Sequence, residues 1–354
     1  MKWARFYYNL KYGLPLRKPR LALRIAKAYL DLFTGKRIPL RYTDLCLNLN
    51  CNLSCAHCFK TNFERPEGEG RPLTVAEWHD VVGQLMELGN IAVGFTGGEP
   101  LANPELNDMI RAAYPDQTII IVNTNGTLLT LERAKDLYRL GVDVLQISLD
   151  SGIPEEHDAF RRMKGAFDRA LRGVEFALKA GLKVNIAPTV SHLNLHSAGF
   201  KKLVELSRQK GTLLNLSLAA PAGKWNAQTD FLLTEDDSAS LNRLIQKESH
   251  VRRDFETNYL QQGCGAAKEK LYITTYGDVI PCPYMHISFG NVREESIDRI
   301  RNKMLALPDF KSYVPNCLVA ENKPFIQDHL SKTWEGQAPV PWTKAFPQDT
   351  KTLF

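Results

Sequence analysis

The sequence predicts an α/β fold: a parallel sheet with helices packed outside it, followed by a small α+β appendage. Three observations carry this. Short apolar strand patterns alternate with helical patterns from residue 44 to residue 219, which is the signature of βα repeats on a parallel sheet. The chemically informative residues stand just past the ends of the predicted strands, where open α/β sheets and barrels place their sites. A second group of cysteines lies apart from the first, around a glycine turn beyond residue 260.

The elements follow in order. Residues 1–43 are dense in Lys and Arg, with Arg17, Arg20, Arg24 and Lys27 at helical spacing and Leu21, Ile25, Tyr29 and Leu32 on the same period one residue over. They predict a basic amphipathic helix at 18–34. Such a helix either covers the end of the main domain or, through residues 17–34, meets an anionic lipid surface or an acidic leader peptide. Strand one is expected at 44–50, then a helix from the cap Thr74 to residue 88. Strand two follows at 91–95, a helix at 103–113, strand three at 118–123 and a helix at 130–140. Strand four at 142–149 precedes a helix at 166–180 that stops at Gly181, strand five at 182–188, a helix at 196–209 and strand six at 213–219. Consecutive parallel strands of this kind need right-handed crossovers. Residues 226–259 read as a helical linker.

The loop after strand one carries Cys51, Cys55 and Cys58 with the spacing C-x3-C-x2-C. Three thiolates so spaced can hold three irons of a [4Fe–4S] cube and leave the fourth open to a small molecule. A zinc site using His57 or Cys46 is the alternative, but zinc favours paired arms and no second arm lies nearby. Some forty residues on, strand two ends in Gly97-Gly98-Glu99-Pro100, where glycines permit close approach to the backbone.

The cysteine triplet together with this segment resembles the radical S-adenosylmethionine (radical SAM) superfamily, whose signature is C-x3-C-x-aromatic-C followed by a GGEP motif; His57 occupies the aromatic position. The resemblance covers about residues 44–225 and implies a partial (β/α)6 barrel. It implies that Gly97, Gly98 and Glu99 hold the methionine amino group of SAM and that polar strand ends reach its ribose. Asn123 at the end of strand three, and Ser148 and Asp150 on one face of strand four, are the residues so placed. Arg161, in His157-Asp-Ala-Phe-Arg161, resembles an arginine that pairs with the SAM carboxylate, as a guanidinium suits. Ala220-Pro-Ala-Gly-Lys-Trp225 resembles the stretch that closes such barrels near substrate.

Cys264, Gly277 and Cys282, with Cys317 beyond, resemble the opening of the SPASM and twitch extensions that carry auxiliary clusters. Residues 271–275 and 279–282 flank the turn Tyr276-Gly277-Asp278 as a hairpin, and a helix is expected at 296–305. The resemblance implies a second, auxiliary [4Fe–4S] cluster in a region spanning 260–320, with its fourth iron either open to substrate or held by a nearby His or Asp; the alternative is that the three cysteines are only structural. Cys46 reads as a buried core thiol. The tail 321–354 carries no legible chemistry.

Composition narrows the rest. With 354 residues, 44% hydrophobic and 24% charged, the chain is that of a soluble globular protein larger than one compact domain. No apolar run is long enough to span a membrane, and no secretory signal is visible. The seven cysteines suit metal ligation in a reducing cytoplasm rather than disulfides. A net charge of +6 gives no ground for nucleic-acid binding. The radical SAM resemblance implies reductive cleavage of SAM to a 5′-deoxyadenosyl radical that takes hydrogen from a peptide, sugar or alcohol, cofactor precursor or lipid. The electron would come from a donor such as flavodoxin or ferredoxin. The alternative is a non-catalytic iron–sulfur or zinc protein in electron transfer or metal delivery, which would not require Gly97, Gly98, Glu99 or a ribose site.

Overall fold

The computed structural model describes residues 17–66, 69–256, 258–259, 263–335 and 338–347; residues 1–16 of the expected N-terminal extension lie outside them. Helix α1 (Pro19–Phe33) begins with Pro at its first position, where no amide is missed. Its inner face buries Leu21 and Ala28 beside Ile91 and Tyr259. Just ahead of the helix, Lys18 Nζ donates to the carbonyls of Thr118 and Gly141 (2.9 and 2.8 Å) and pairs with Asp143. Arg24 donates to the carbonyls of Met86 and Asn90, each at 2.9 Å. Several of these partners immediately precede strands, so α1 covers the end of the sheet at which the strands begin.

The parallel strands are β1 (Tyr42–Asn48), β2 (Ala92–Gly97), β3 (Ile119–Thr124), β4 (Val142–Ile147), β5 (Lys183–Ile186), β6 (Thr189–Val190) and β7 (Leu213–Leu218). Between them run α2 (Val75–Glu87), α3 (Leu106–Ala112), α4 (Leu131–Arg139), α5 (Pro154–Arg161), α6 (Ala166–Lys179) and α7 (Ala198–Lys210). Local chemistry fixes their starts: Thr74 and Glu77 form a reciprocal capping box on α2, and Thr130 and Ser197 cap α4 and α7. Strand alternation sorts the side chains. Leu145 and Ile147 of β4 are fully buried in the core, whereas Val144, Gln146 and Ser148 line a central cavity. Cys46 is fully buried with Phe63, Tyr272 and Ile280. This is a partial barrel of the expected kind.

Two features differ from the sequence reading. The region expected as a helical linker contains α8 (Glu235–Lys247) and then β8 (Val251–Arg253), which pairs parallel with β7 and lengthens the sheet. Beyond it, the hairpin of β9 (Lys270–Ile273) and β10 (Val279–Ile280) turns at Gly277, with φ +93°. It is not a detached module: β9 pairs parallel with β1, from Tyr42↔Lys270 to Leu45↔Ile273. The sheet therefore runs β10-β9-β1-β2-β3-β4-β5-β7-β6, with β8 beside β7. A four-residue strand lacks the length and alternation to announce such pairing. Helix α9 (Ile297–Ala306) follows the Ser296 cap, and its Ile297, Ile300 and Met304 join Phe310, Phe325 and Phe346 in a core continuous with that of the barrel. The tail reaches back to the barrel, where Trp334 Nε1 donates to the Pro221 carbonyl at 3.2 Å.

Candidate active site

Cys51, Cys55 and Cys58 lie on the loop that leaves β1, and three strand ends clamp that loop. From β2, the Gly98 amide donates to the Asn48 carbonyl and the Glu99 amide to the Asn50 carbonyl, both at 2.7 Å. The contact is so close that a Cβ on Gly98 would lie 1.8 Å from the Asn50 oxygen, and one on Gly97 (φ +128°) 2.2 Å from that of Asn48. From β3, Asn125 Nδ2 donates to Asn52 Oδ1 at 2.8 Å. From β7, the Lys224 amide donates to the Cys58 carbonyl at 3.0 Å, and Lys224 Nζ reaches Ser54 Oγ at 3.0 Å. Lys224, Gly97 and Gly98 thus all meet the cysteine loop, and the two glycines also line the cavity beneath it.

Glu99 is buried, and burial raises its carboxyl pKa. It accepts from Thr124 Oγ1 (2.6 Å), the Asn125 amide (2.8 Å) and the Leu101 amide (3.0 Å). Asn123 donates to Asp44 Oδ1 at 3.2 Å, while its own Oδ1 is buried without a partner. Gly97, Gly98, Glu99, Asn123, Ser148 and Arg161 all line the cavity beneath the cysteine loop. Asp150 does not share this lining. Its carboxylate accepts from Arg161 Nε at 2.6 Å and the Thr189 amide at 3.0 Å. Burial opposes its ionisation, but the Arg161 guanidinium and the His157 side chain prevail and hold its carboxyl far below the usual carboxylate range. Arg161 in turn approaches Cys55, with Nη1 3.7 Å from Sγ. His57 stacks on Phe160 (4.3 Å, 9°) beside Trp225; burial and then the Arg161 charge push its pKa down to about 3, so it is a neutral aromatic surface.

Cys264, Cys282 and Cys317 line the same cavity, of about 700 Å³, as the first triplet. Burial and then the Cys264 charge push the Cys282 thiol up to about 12, and Cys317 is raised by burial and then by Cys264 and Cys282. Register places this group. Ile280 is level with Tyr272, and Tyr272 with Asp44, so Cys282 stands near the beginning of β1, whereas Cys51 follows its end. The two groups are thus roughly one strand length, about 20 Å, apart along the sheet. Beside the second group, Lys270 lies 3.9 Å from Asp44, and burial opposes but the charges of Asp254 and Asp44 raise its pKa. Among the described residues no three His, Cys, Asp or Glu side chains converge on a point one metal ion would fill; a cube gives each thiolate an iron of its own. The free thiols, the cation beside Cys55 and the unpartnered Asn123 oxygen fit a [4Fe–4S] cluster with a polar ligand on its open iron.

Comparison with known proteins agrees with this geometry. Residues 47–204 match the radical SAM superfamily model and residues 264–320 the SPASM iron–sulfur cluster-binding domain. The chain is 28% identical over 284 residues to an AdoMet-dependent heme synthase of Methanosarcina barkeri, covering 72% of this chain and 80% of that one. It is 31% identical over 255 residues to a PqqA peptide cyclase of Streptomyces rochei, covering 67% of each. In fold it resembles Streptococcus suis SuiB bound to its precursor peptide SuiA, with TM-score 0.60 at 14% identity over 81% of this chain and 70% of that one. It also resembles anSMEcpe with bound AdoMet, with TM-score 0.58 at 16% identity, covering 89% and 98%. The chain belongs to the radical SAM superfamily and carries a C-terminal SPASM-like domain.

Proposed function

We propose that this radical SAM enzyme oxidises a substrate held in the barrel cavity between two clusters. The observation that carries the reading is that one cavity is lined by both cysteine groups and by the polar strand ends between them. A [4Fe–4S] cluster in this superfamily supplies an electron to SAM, whose cleavage to methionine yields the 5′-deoxyadenosyl radical that abstracts hydrogen from substrate. Cys51, Cys55 and Cys58 hold that cluster. Gly97, Gly98, Glu99, Asn123 and Ser148 shape the SAM pocket, and Arg161 offers positive charge to the SAM carboxylate and to Cys55. Asp150 holds Arg161 in place instead of meeting the ribose. Cys264, Cys282 and Cys317 would hold an auxiliary [4Fe–4S] cluster, which would supply an electron acceptor at that end of the cavity. The barrel wall and α1 exclude water from the radical.

The heme-forming and peptide-modifying relatives make carboxylate-bearing tetrapyrroles and peptides the first substrates to try, in a cytoplasmic setting with flavodoxin or ferredoxin as donor. Residues 17–34 lie at the opposite end from the first triplet, so any partner they bind is separate from the reaction.

The test is anaerobic reconstitution, then SAM, reductant and the substrate panel with deuterium at exchange-inert carbons. About eight irons per chain, 5′-deoxyadenosine and deuterium within it are expected. No nucleoside under any condition would remove the catalytic reading, and about four irons would remove the auxiliary cluster.

A further inference from the structure

Six large apolar side chains are well exposed among the described residues, and four of them, Leu23, Tyr29, Leu30 and Phe33, lie on α1. Leu23, Leu30 and Phe33 are 73%, 62% and 75% exposed. With exposed Ala26 and Lys27 they share one side of the helix, opposite the face that Leu21 and Ala28 bury. Apolar side chains clustered on one outward face mark a contact surface. The inner face already closes the barrel, so the outer residues are not needed for packing.

Charge indicates the partner. Residues 1–42 hold eleven of the 45 basic residues and one of the 39 acids, leaving the rest of the chain at net −4. A basic end on an otherwise acidic protein orients toward an anionic surface. Side chains seated in a peptide groove would be partly covered, whereas Leu23, Leu30 and Phe33 are largely exposed. A peptide partner needs a groove or a sheet edge; a lipid surface accepts projecting Leu and Phe with basic residues beside them. No helix among the described residues is long and apolar enough to cross a membrane.

We propose that the outward face of α1 docks the enzyme on an anionic lipid membrane, with Leu23, Leu30 and Phe33 entering the interface and Lys27 beside them at the headgroups. The first cysteine triplet, at the far ends of the strands, then faces away from the bilayer.

The test uses the full-length reconstituted protein and sedimentation with vesicles of phosphatidylcholine alone or with about a third phosphatidylglycerol. Binding to the anionic vesicles, weakened by salt, is expected. Leu30→Asp with Phe33→Asp should weaken it by at least about tenfold, and Lys27→Glu by about fivefold or more. Iron content, melting and SAM cleavage should stay unchanged, since these side chains are exposed. Wild-type protein that stays in the supernatant overturns the proposal. So does vesicle binding indifferent to the substitutions, self-association through this face without lipid, or capture of an acidic peptide that the same variants abolish.

Discussion

Replacing Gly98 with alanine separates two accounts of the Gly97-Gly98-Glu99 segment. If the glycines serve only to admit SAM, a methyl group hinders SAM and leaves the cluster intact. The structure says that Gly98 presses β2 against the cysteine loop, where an added Cβ would lie 1.8 Å from the Asn50 oxygen and 2.8 Å from the Leu49 carbonyl carbon. Real Cβ contacts stay beyond 3.0 Å, so backbone must move, and no flexible side chain can give way. That movement breaks the Gly98–Asn48 and Glu99–Asn50 hydrogen bonds. Two such bonds contribute about 1–3 kcal/mol net, more if a buried amide is left unpaired. The core beneath is untouched, so melting should fall by only a few degrees. The first cluster, held by the displaced loop, should suffer most. Electron paramagnetic resonance of the reduced protein checks this through the part of the signal that changes on adding SAM. In Gly98→Ala that SAM-responsive signal and 5′-deoxyadenosine should both fall at least about fivefold, in proportion to the energy above. A full cluster signal of normal shape, with only SAM affinity reduced, would refute the clamp.

The other predictions rest on separate contacts. Alanine at Cys51, Cys55 or Cys58 should abolish SAM cleavage, whereas alanine at Cys264 or Cys282 should lower iron and leave some cleavage uncoupled from product; iron analysis with nucleoside counting checks both. Asp150→Asn leaves the buried Arg161 charge unpaired and should destabilise by about 3–5 kcal/mol. Because the folded carboxyl is depressed, the benefit of native Asp150 is fully present above its unfolded pKa, about 4. It is lost only as pH falls toward the folded value, so the melting gap between the two proteins should persist to pH 4 and close below it; a gap that closes already at pH 6 counts against the pairing. His57→Phe should keep the cluster and activity, since neutral His57 acts through its stack on Phe160, while His57→Ala should weaken both. Loss of activity in the phenylalanine variant would point to ligation instead.

How much of this was legible in the sequence divides along physical lines. The βα order was readable because each element is locally encoded: strands by short apolar runs, helices by caps such as Thr74 and stops such as Gly181. The cysteine triplet was readable because its members are neighbours in sequence. The Asp150–Arg161 pair was not readable, because strand alternation gives the face of a residue and says nothing of a partner eleven positions later. Helix α5, which brings Arg161 there, is only eight residues long. The β8 strand hid in an expected linker for the same reason: its three residues pair only because β7 is already in place.

Gly223 extends this argument. In the sequence it is one glycine in a loop, yet a Cβ there would lie 2.1 Å from the Cys58 carbonyl oxygen. Gly97, Gly98 and Gly223 thus come from β2 and β7, distant in the chain, and meet backbone of one loop. A cluster held by three neighbouring cysteines would need a loop fixed from outside, because the irregular chain of residues 49–58 carries too few hydrogen bonds of its own to hold three thiolates in register. The strand ends supply those bonds, and they can do so only where no side chain intervenes. The glycines that resemble a ligand-binding motif are therefore first a structural requirement of the metal site, and SAM binding builds on the surface that requirement leaves.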